Sequence, residues 1–197
     1  ALHSNYLLMK IFQEAGLPDG VVNFLPGQGS LIGRVATANE HLAGFHFTGS
    51  TATFNTLWKS IAGNIDRYRG YPRIVGETGG KNFVMVHPSA EAREVATALV
   101  RGAFEYQGQK CSAASRAYIP RSLWPSVKEV MGDMLDSIKM GDVMEFDNFV
   151  NAVIDEASFD NIMNYLAAAK RDSDAKIIFG GEGDKSVGYF IRPTVIE

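Results

Sequence analysis

The sequence has 197 residues, of which 46% are hydrophobic and 21% are charged, a composition typical of a folded globular protein and not of a disordered or fibrous one. The net charge of −3 gives no reason to expect nucleic acid or an anionic membrane as a partner, and no apolar run approaches the roughly 20 residues of a membrane span. The single cysteine, Cys111, excludes an internal disulfide and favours a reducing compartment.

The first 76 residues are predicted to form a Rossmann-like half-domain built on a parallel sheet. Apolar residues at i, i+3 and i+4 spacing predict helices over residues 8–15, 30–38 and 54–65, and short apolar runs predict strands over residues 21–25, 42–47 and 73–75. The helix over residues 30–38 is expected to turn Ile32, Val35 and Ala36 inward. Strands and helices that alternate at such short separations favour parallel strands joined by crossover helices.

A second α/β lobe is predicted from residue 77 onwards. Strands are expected over residues 83–86, 117–119 and 177–179, and amphipathic helices over residues 95–103, 127–138 and 159–166. We therefore divide the chain into domains over residues 1–76 and 77–197. The chain starts at Ala1 without a methionine and stops in an apolar run typical of a strand, so we expect it to be a central segment of a longer protein.

Two side chains suited to covalent chemistry lie 34 residues apart (111 − 77). Glu77 follows an apolar run and precedes a glycine pair, and partial burial there would suit a general base. Cys111 lies in a segment rich in Gly and Gln, where exposure and the neighbouring Lys110 would favour a reactive thiolate. Taken singly, Glu77 fits a surface carboxylate equally well, and Cys111 fits an inert buried side chain. Neither residue establishes a site without the other.

The segment Phe47-Thr48-Gly49-Ser50 is a candidate phosphate site. It ends a predicted strand and starts the helix over residues 54–65, where free backbone N–H groups and the helix dipole favour an anion. Open α/β sheets bind ligands at such strand ends. The alternative is that Ser50 or Thr51 is simply the N-cap of the helix.

A glycine motif earlier in the chain is a weaker candidate for binding a pyrophosphate. Gly27, Gly29 and Gly33 lie between a predicted strand and a helix, which is the setting of a dinucleotide fingerprint, but the third glycine comes one residue late. No acidic residue follows about 20 residues on at an obvious strand end. A tight turn with Ser30 as a capping residue explains the same pattern.

Neither the histidines nor the arginines indicate a further site. The four histidines lack the spacing of zinc ligands, so no metal site is expected. A basic and aromatic run over residues 67–73 could imitate a nucleic-acid patch, but it fits a solvated loop between a helix and a strand better.

Three motifs, in order and at these distances, resemble the signatures of the aldehyde dehydrogenase superfamily. They are Phe47-Thr48-Gly49-Ser50, then Glu77-Thr78-Gly79-Gly80-Lys81-Asn82, then Gly108-Gln109-Lys110-Cys111, and the separation of 34 between Glu77 and Cys111 also matches the family. More narrowly, four stretches are similar to the eukaryotic branch that oxidises L-glutamate γ-semialdehyde to L-glutamate in proline catabolism: Ser4-Asn5-Tyr6, residues 44–50, residues 103–112 and residues 186–190.

The resemblance implies a role for each matching residue. Cys111 would be the nucleophile that forms a thiohemiacetal with a small aldehyde substrate, its backbone N–H would help hold the oxyanion, and NAD⁺ would accept the hydride. Glu77 would then activate the water that hydrolyses the thioester. Ser112 would contact the substrate. The residues expected at the NAD site are Gly27, Phe47, Gly49, Ser50, Thr51, Ala52 and Thr53.

The resemblance also implies a larger setting for the chain. Residues 1–76 would be the C-terminal part of an NAD-binding domain and residues 77–197 the N-terminal part of a catalytic domain, in a partial aldehyde dehydrogenase-like fold. The full-length protein would be a homo-oligomer, a dimer or higher, in the mitochondrial matrix. Because the family's oxyanion asparagine and ribose-binding lysine would precede Ala1, we expect the 197 residues alone to be a poor catalyst. The alternatives are an aldehyde dehydrogenase for another substrate and a non-catalytic nucleotide-binding fragment.

Overall fold

The structure, a computed structural model, describes residues 2–197 and divides the chain into two compact units. Unit 1 runs to Gly79 and unit 2 from Gly80 to Glu197. The helices are α1 (Leu2–Glu14), α2 (Gly29–Ala38), α3 (Thr51–Gly63), α4 (Ala92–Phe104), α5 (Trp124–Ser137) and α6 (Glu156–Arg171), with short 3-10 turns at Ile65–Arg67 and Glu105–Gly108. The strands are β1 (Gly44–Gly49), β2 (Arg73–Thr78), β3 (Asn82–Met85), β4 (Ala114–Tyr118), β5 (Ile177–Phe179), β6 (Gly183–Asp184), β7 (Phe190–Ile191) and β8 (Val195–Ile196).

Unit 1 is organised around a parallel pair of strands. β1 pairs with β2 from Gly44 opposite Arg73 to Gly49 opposite Thr78, and α3 makes the connection between them. The predicted parallel strands with a crossover helix are therefore confirmed. The apolar spacing predicted for α3 is present, and Ile61 on that helix is 4% exposed.

The strand predicted over residues 21–25 is absent. This stretch has no regular secondary structure, and Val21, Val22 and Leu25 are exposed. A strand exists only when a neighbour satisfies its backbone N–H and C=O groups, and the sheet of unit 1 consists of β1 and β2. The apolar run indicated burial, but the described chain supplies no partner strand for it.

The helix α2 turns a different side inward from the one predicted. Its buried residues are Gly33 and Thr37, whereas Ile32 and Val35 are exposed. A Cβ at Gly33 would lie 2.9 Å from Leu57 Cδ2, so the absence of a side chain lets α2 approach α3 closely. The Thr37 hydroxyl lies 2.9 Å from Ser60 Oγ and donates to the Gly33 carbonyl.

Polar side chains also fasten the end of α2. The Thr37 carbonyl accepts hydrogen bonds from Asn64 Nδ2 at 3.2 Å and from the Tyr68 hydroxyl at 2.5 Å. The last carbonyls of a helix lack intrahelical donors, and these two side chains supply them. The end of α2 is therefore held by two side chains from the segment that follows α3.

Unit 2 contains the main hydrophobic core. The core lies between α4 and α5 beside the parallel pair β3 and β4, and its buried residues are Val86, Val95, Ala96, Leu99, Val100, Val127, Met131 and Leu135. Two further sheets are antiparallel, with β5 paired to β8 and β6 paired to β7. Both units are α/β, as predicted. Their assignment to an NAD-binding and a catalytic domain stays a prediction.

Within residues 2–197, no helix has both the length and the apolar character needed to cross a membrane.

Candidate active site

Cys111 lies in a tight turn on the surface of unit 2. The Lys110 carbonyl accepts a hydrogen bond from the Ala113 N–H at 3.1 Å, so Cys111 and Ser112 are the two central residues of a β-turn. Both residues are exposed. An accessible thiol is the first requirement of a reactive cysteine, and the exposure predicted for Cys111 is confirmed.

The carbonyl of this turn is held by a side chain from another element. Asn82, the first residue of β3, donates from Nδ2 to the Cys111 carbonyl oxygen at 2.5 Å. A β-bulge lies at the same point, because Asn82 is opposite Ala114 whereas Phe83 is opposite Arg116, which leaves Ser115 as the extra residue. Bulges change the direction of neighbouring side chains. This bulge lies beside Asn82, whose side chain bonds to the carbonyl of the candidate nucleophile.

The segment that enters the turn has an unusual backbone. Tyr106, Gln107 and Gly108 have φ values of 55°, 57° and 66°, all in the left-handed region. Only glycine adopts such angles without cost, so Tyr106 and Gln107 carry backbone strain. A Cβ at Gly108 would lie 2.7 Å from the Ala103 carbonyl oxygen. Both the positive φ and this close approach therefore disfavour any residue with a side chain at position 108.

The side chain of Gln109 fixes the same segment from within. Its Oε1 accepts a hydrogen bond from the Ile154 N–H at 2.9 Å, and its Nε2 donates to the Tyr106 carbonyl at 3.3 Å. Gln109 therefore ties the strained residues to a distant loop of unit 2.

Lys110 has a partner other than the thiol beside it in sequence. Its ammonium donates to Glu105 Oε2 at 3.0 Å, and Arg101 Nη2 lies 3.4 Å from Glu105 Oε1. The hydrogen bond from Lys110, together with its positive charge, lowers the pKa of the Glu105 carboxyl below its ordinary value. Lys110 is therefore paired with a carboxylate of the same segment, and its predicted effect on Cys111 stays a prediction.

The candidate phosphate site is at the start of α3 in unit 1. Ser50 is the N-cap: its Oγ accepts from the Thr53 N–H at 3.1 Å and donates to Thr53 Oγ1 at 2.8 Å. The capping alternative is thus correct, yet it leaves the N–H groups of Thr51 and Ala52 without an intrahelical acceptor. A Cβ at Gly49 would lie 2.6 Å from Phe47 Cζ, so the ring of Phe47 covers this glycine.

The glycine motif of Gly27, Gly29 and Gly33 was predicted to bind a pyrophosphate or to form a tight turn capped by Ser30. Gln28 is the N-cap of α2 and makes no capping bond through its side chain, so Ser30 is not the cap. Gly33 serves the contact between α2 and α3. Gly27 is exposed, and a Cβ there would lie 3.3 Å from Ile32 Cδ1, which leaves its predicted contact with a cofactor as a prediction.

Glu77 lies in β2 opposite Thr48, next to the C-terminal end of β1. It is exposed in unit 1, so the partial burial expected of it is not found there. Because Glu77 belongs to unit 1 and Cys111 to unit 2, their joint action stays a prediction. In residues 2–197, no group of three or more His, Cys, Asp or Glu side chains could hold a metal ion.

Three residues that shape the Cys111 turn cannot be recognised from the sequence pattern. Asn82, Gln109 and Glu105 occur in the stretches that resemble the family, but their residue types alone predict no contact with the turn. The available signal was the position of two amide side chains inside the two motifs, since amides often bond to irregular backbone.

A comparison with known families covers the whole chain. The profile described as Aldehyde dehydrogenase family matches residues 1–197.

The chain belongs to the aldehyde dehydrogenase family.

Individual members of the aldehyde dehydrogenase family are similar to this chain along its whole length. The mitochondrial delta-1-pyrroline-5-carboxylate dehydrogenase of Dictyostelium discoideum is 52% identical over 198 residues, covering 100% of this chain and 36% of that protein. The human mitochondrial protein of the same name is 46% identical, covering 100% of this chain and 35% of that protein. The chain therefore spans about a third of the length of these aldehyde dehydrogenases.

A solved structure extends the comparison to the fold. The delta-pyrroline-5-carboxylate dehydrogenase of Mycobacterium tuberculosis, crystallised with NAD, is 47% identical and superposes with a TM-score of 0.94, covering 98% of this chain and 36% of that one. The predicted family and the predicted partial aldehyde dehydrogenase fold are both confirmed.

Proposed function

We propose that this chain carries part of an NAD-dependent enzyme that oxidises L-glutamate γ-semialdehyde, formed from delta-1-pyrroline-5-carboxylate, to L-glutamate in proline catabolism. The observation that carries the proposal is the similarity over the entire chain, at 52% and 48% identity, to proteins named delta-1-pyrroline-5-carboxylate dehydrogenase from Dictyostelium discoideum and Danio rerio. The three motifs of the sequence lie within this matched region.

The start of α3 has the chemistry needed to bind the pyrophosphate of NAD. Its polar groups are hydroxyls and backbone N–H groups from residues 50–53, and Thr51, Ala52 and Thr53 are exposed. Donors at a helix N-terminus favour a phosphate. The Mycobacterium tuberculosis relative with bound NAD supports the assignment. We assign to the NAD site as a whole, from pyrophosphate to adenosine, the residues Gly27, Phe47, Gly49, Ser50, Thr51, Ala52 and Thr53.

Cys111 is proposed as the nucleophile. Its thiolate attacks the aldehyde carbon, the carbonyl oxygen becomes an oxyanion, and the backbone N–H of Cys111 donates a hydrogen bond to that oxyanion. Bound NAD⁺ supplies the two-electron acceptor for the oxidation. The resulting thioester on Cys111 is hydrolysed by a water whose proton passes to Glu77, and Ser112 contacts the substrate. The exposure of the Cys111 turn supports access of an aldehyde to the thiol.

Assembly and location are proposals of wider scope. We propose a homo-oligomer, on the family resemblance alone. We propose the mitochondrial matrix as its location, because relatives from Dictyostelium discoideum, Danio rerio and human are named mitochondrial.

Two measurements on the full-length protein test the proposed function. A panel of aldehydes should give the highest kcat/KM for glutamate semialdehyde, which carries both a carboxylate and an amine, and Cys111→Ala should abolish the activity while Cys111→Ser leaves only a trace. A higher kcat/KM for a simple alkyl aldehyde would support an aldehyde dehydrogenase for another substrate instead.

Alkylation by iodoacetamide tests the nucleophile without turnover. Cys111 should react faster than free cysteine, and NAD⁺ should change the rate. If Cys111 reacts no faster than free cysteine and NAD⁺ has no effect, the assignment of Cys111 as nucleophile fails.

A further inference from the structure

We propose that Asn82 is a positioning residue that holds the Cys111–Ser112 peptide group in the orientation needed for reaction. The inference rests on the proposed function, because it concerns the nucleophile of that reaction. Asn82 acts through the backbone of Cys111 and is not assigned a contact with the substrate.

The argument starts from the geometry of the turn. In a β-turn closed by a bond from residue i+3 to residue i, the central peptide group takes no part in that bond. The central peptide can turn over by roughly 150–180° between the type I and type II forms, because only ψ of the first central residue and φ of the second change greatly. In the turn from Lys110 to Ala113, that peptide is formed by the Cys111 carbonyl and the Ser112 N–H.

Asn82 bonds to this movable peptide group. Its Nδ2 donates to the Cys111 carbonyl at 2.5 Å, so turning the peptide over would break the bond. The bond therefore selects one value of ψ at Cys111 and one value of φ at Ser112. These two angles determine where the Ser112 N–H and side chain lie relative to the Cys111 thiol. Correct placement of reacting groups is worth far more than the bond itself, since a misplacement of about 1 Å can cost roughly 100-fold in rate.

Neighbouring contacts constrain both Asn82 and the turn to which it bonds. Asn82 begins β3 and is paired with Ala114, immediately before the bulge at Ser115. The same turn is preceded by the left-handed residues Tyr106 and Gln107, whose strain is tolerated only where other contacts determine the conformation. Asn82 holds the turn from the β3 side, and Gln109 holds its entry from the side of Ile154.

The chemistry of the contact demands an amide. A carbonyl oxygen accepts hydrogen bonds, and an ionised carboxylate has no hydrogen to donate, so aspartate has the shape of asparagine without its function. Asn82→Asp thus places two acceptors face to face, and Asn82→Ala removes the contact without adding a charge.

The test uses the full-length protein with three variants. Asn82→Ala and Asn82→Asp are compared with Asn148→Ala, a control in unit 2 that loses a similar bond, from the Nδ2 of the half-buried Asn148 to the Asp142 carbonyl at 3.0 Å. The measurements are the rate of alkylation of Cys111 by iodoacetamide, kcat and the KM for NAD⁺ with glutamate semialdehyde, and the far-ultraviolet circular dichroism.

We expect both Asn82 variants to lower kcat by roughly 10- to 100-fold with the KM for NAD⁺ unchanged, as misplacement of a nucleophile requires, and to slow the alkylation. Asn82→Asp should be at least as slow as Asn82→Ala, and Asn148→Ala should match the wild type. Unchanged kcat and alkylation in Asn82→Ala, or an unfolded dichroism spectrum in both Asn82 variants, would overturn the inference. Slow alkylation of the wild-type protein would instead overturn the proposed function, so the two failures are distinguishable.

Discussion

Replacing Gly108 with alanine is the substitution whose effect the structure defines most sharply. Gly108 has a φ of 66°, and alanine in the left-handed region costs about 1–2 kcal/mol. The new Cβ would also lie 2.7 Å from the Ala103 carbonyl oxygen, a backbone atom that cannot swing away as the end of a side chain can. Relief of such an overlap costs a further 1–2 kcal/mol, roughly, as in other overpacked sites. We expect a total loss of about 2–4 kcal/mol.

Thermal unfolding followed by circular dichroism measures this loss. Unit 2 runs from Gly80 to Glu197, and for a domain of that size each kcal/mol lowers Tm by about 3–5 °C. Gly108→Ala should therefore lower the Tm of unit 2 by roughly 10 °C.

The control lies on the adjacent helix. Gly102 belongs to α4, has ordinary backbone angles, and a Cβ there would lie 3.6 Å from Ala114 Cβ, an ordinary contact. Gly102→Ala should be neutral or stabilise by up to about 1 kcal/mol, as expected for alanine in a helix. Equal Tm values for the two variants would refute the reasoning from φ and from the overlap at Gly108.

Three further predictions concern the core, a cap and a charge. Val127→Ala, at a fully buried position, should lose about 2 kcal/mol in urea denaturation, whereas Val143→Ala, 66% exposed, should change nothing measurable. Ser50→Ala should cost about 1 kcal/mol by removing the bond to the backbone at the start of α3, and a null result in the same assay would contradict the capping role. Because the folded pKa of Glu105 is lowered from an ordinary 4.5, its pairing with Lys110 stabilises the protein above that pH and is lost as pH falls through the folded value. Glu105→Gln should therefore show a smaller fall in Tm between neutral and acidic pH than the wild type, and an identical fall would exclude Glu105 as a source of the acid sensitivity.

Local patterns predicted the elements that depend on local physics. The apolar spacing of α3 predicted that helix. The helix predicted between β1 and β2 in turn favoured parallel pairing, because a crossover helix permits that arrangement. The order and spacing of three motifs predicted the family, which the comparison over residues 1–197 confirms.

Features that depend on distant partners escaped prediction. The run over residues 21–25 has the composition of a strand, but composition does not reveal whether a neighbouring strand is present to pair with it. The bond from Asn82 to Cys111 spans 29 residues and joins a side chain to a backbone carbonyl, which no periodicity records. The left-handed backbone angles of Tyr106 and Gln107 could not be predicted from the sequence either, because such angles are expected at glycine and not at these residue types.

The uneven distribution of buried side chains has a consequence for how the 197-residue chain opens. Among the described residues, Ile61 is the buried hydrophobic residue of unit 1, whereas twelve lie in unit 2. Amide hydrogens are released to solvent by local opening, and the free energy of opening grows with the apolar contacts that must be broken. In deuterium oxide, the amides of α3 should therefore exchange well before those of α4 and α5, and a protease that requires an opened backbone should cut α2 and α3 first.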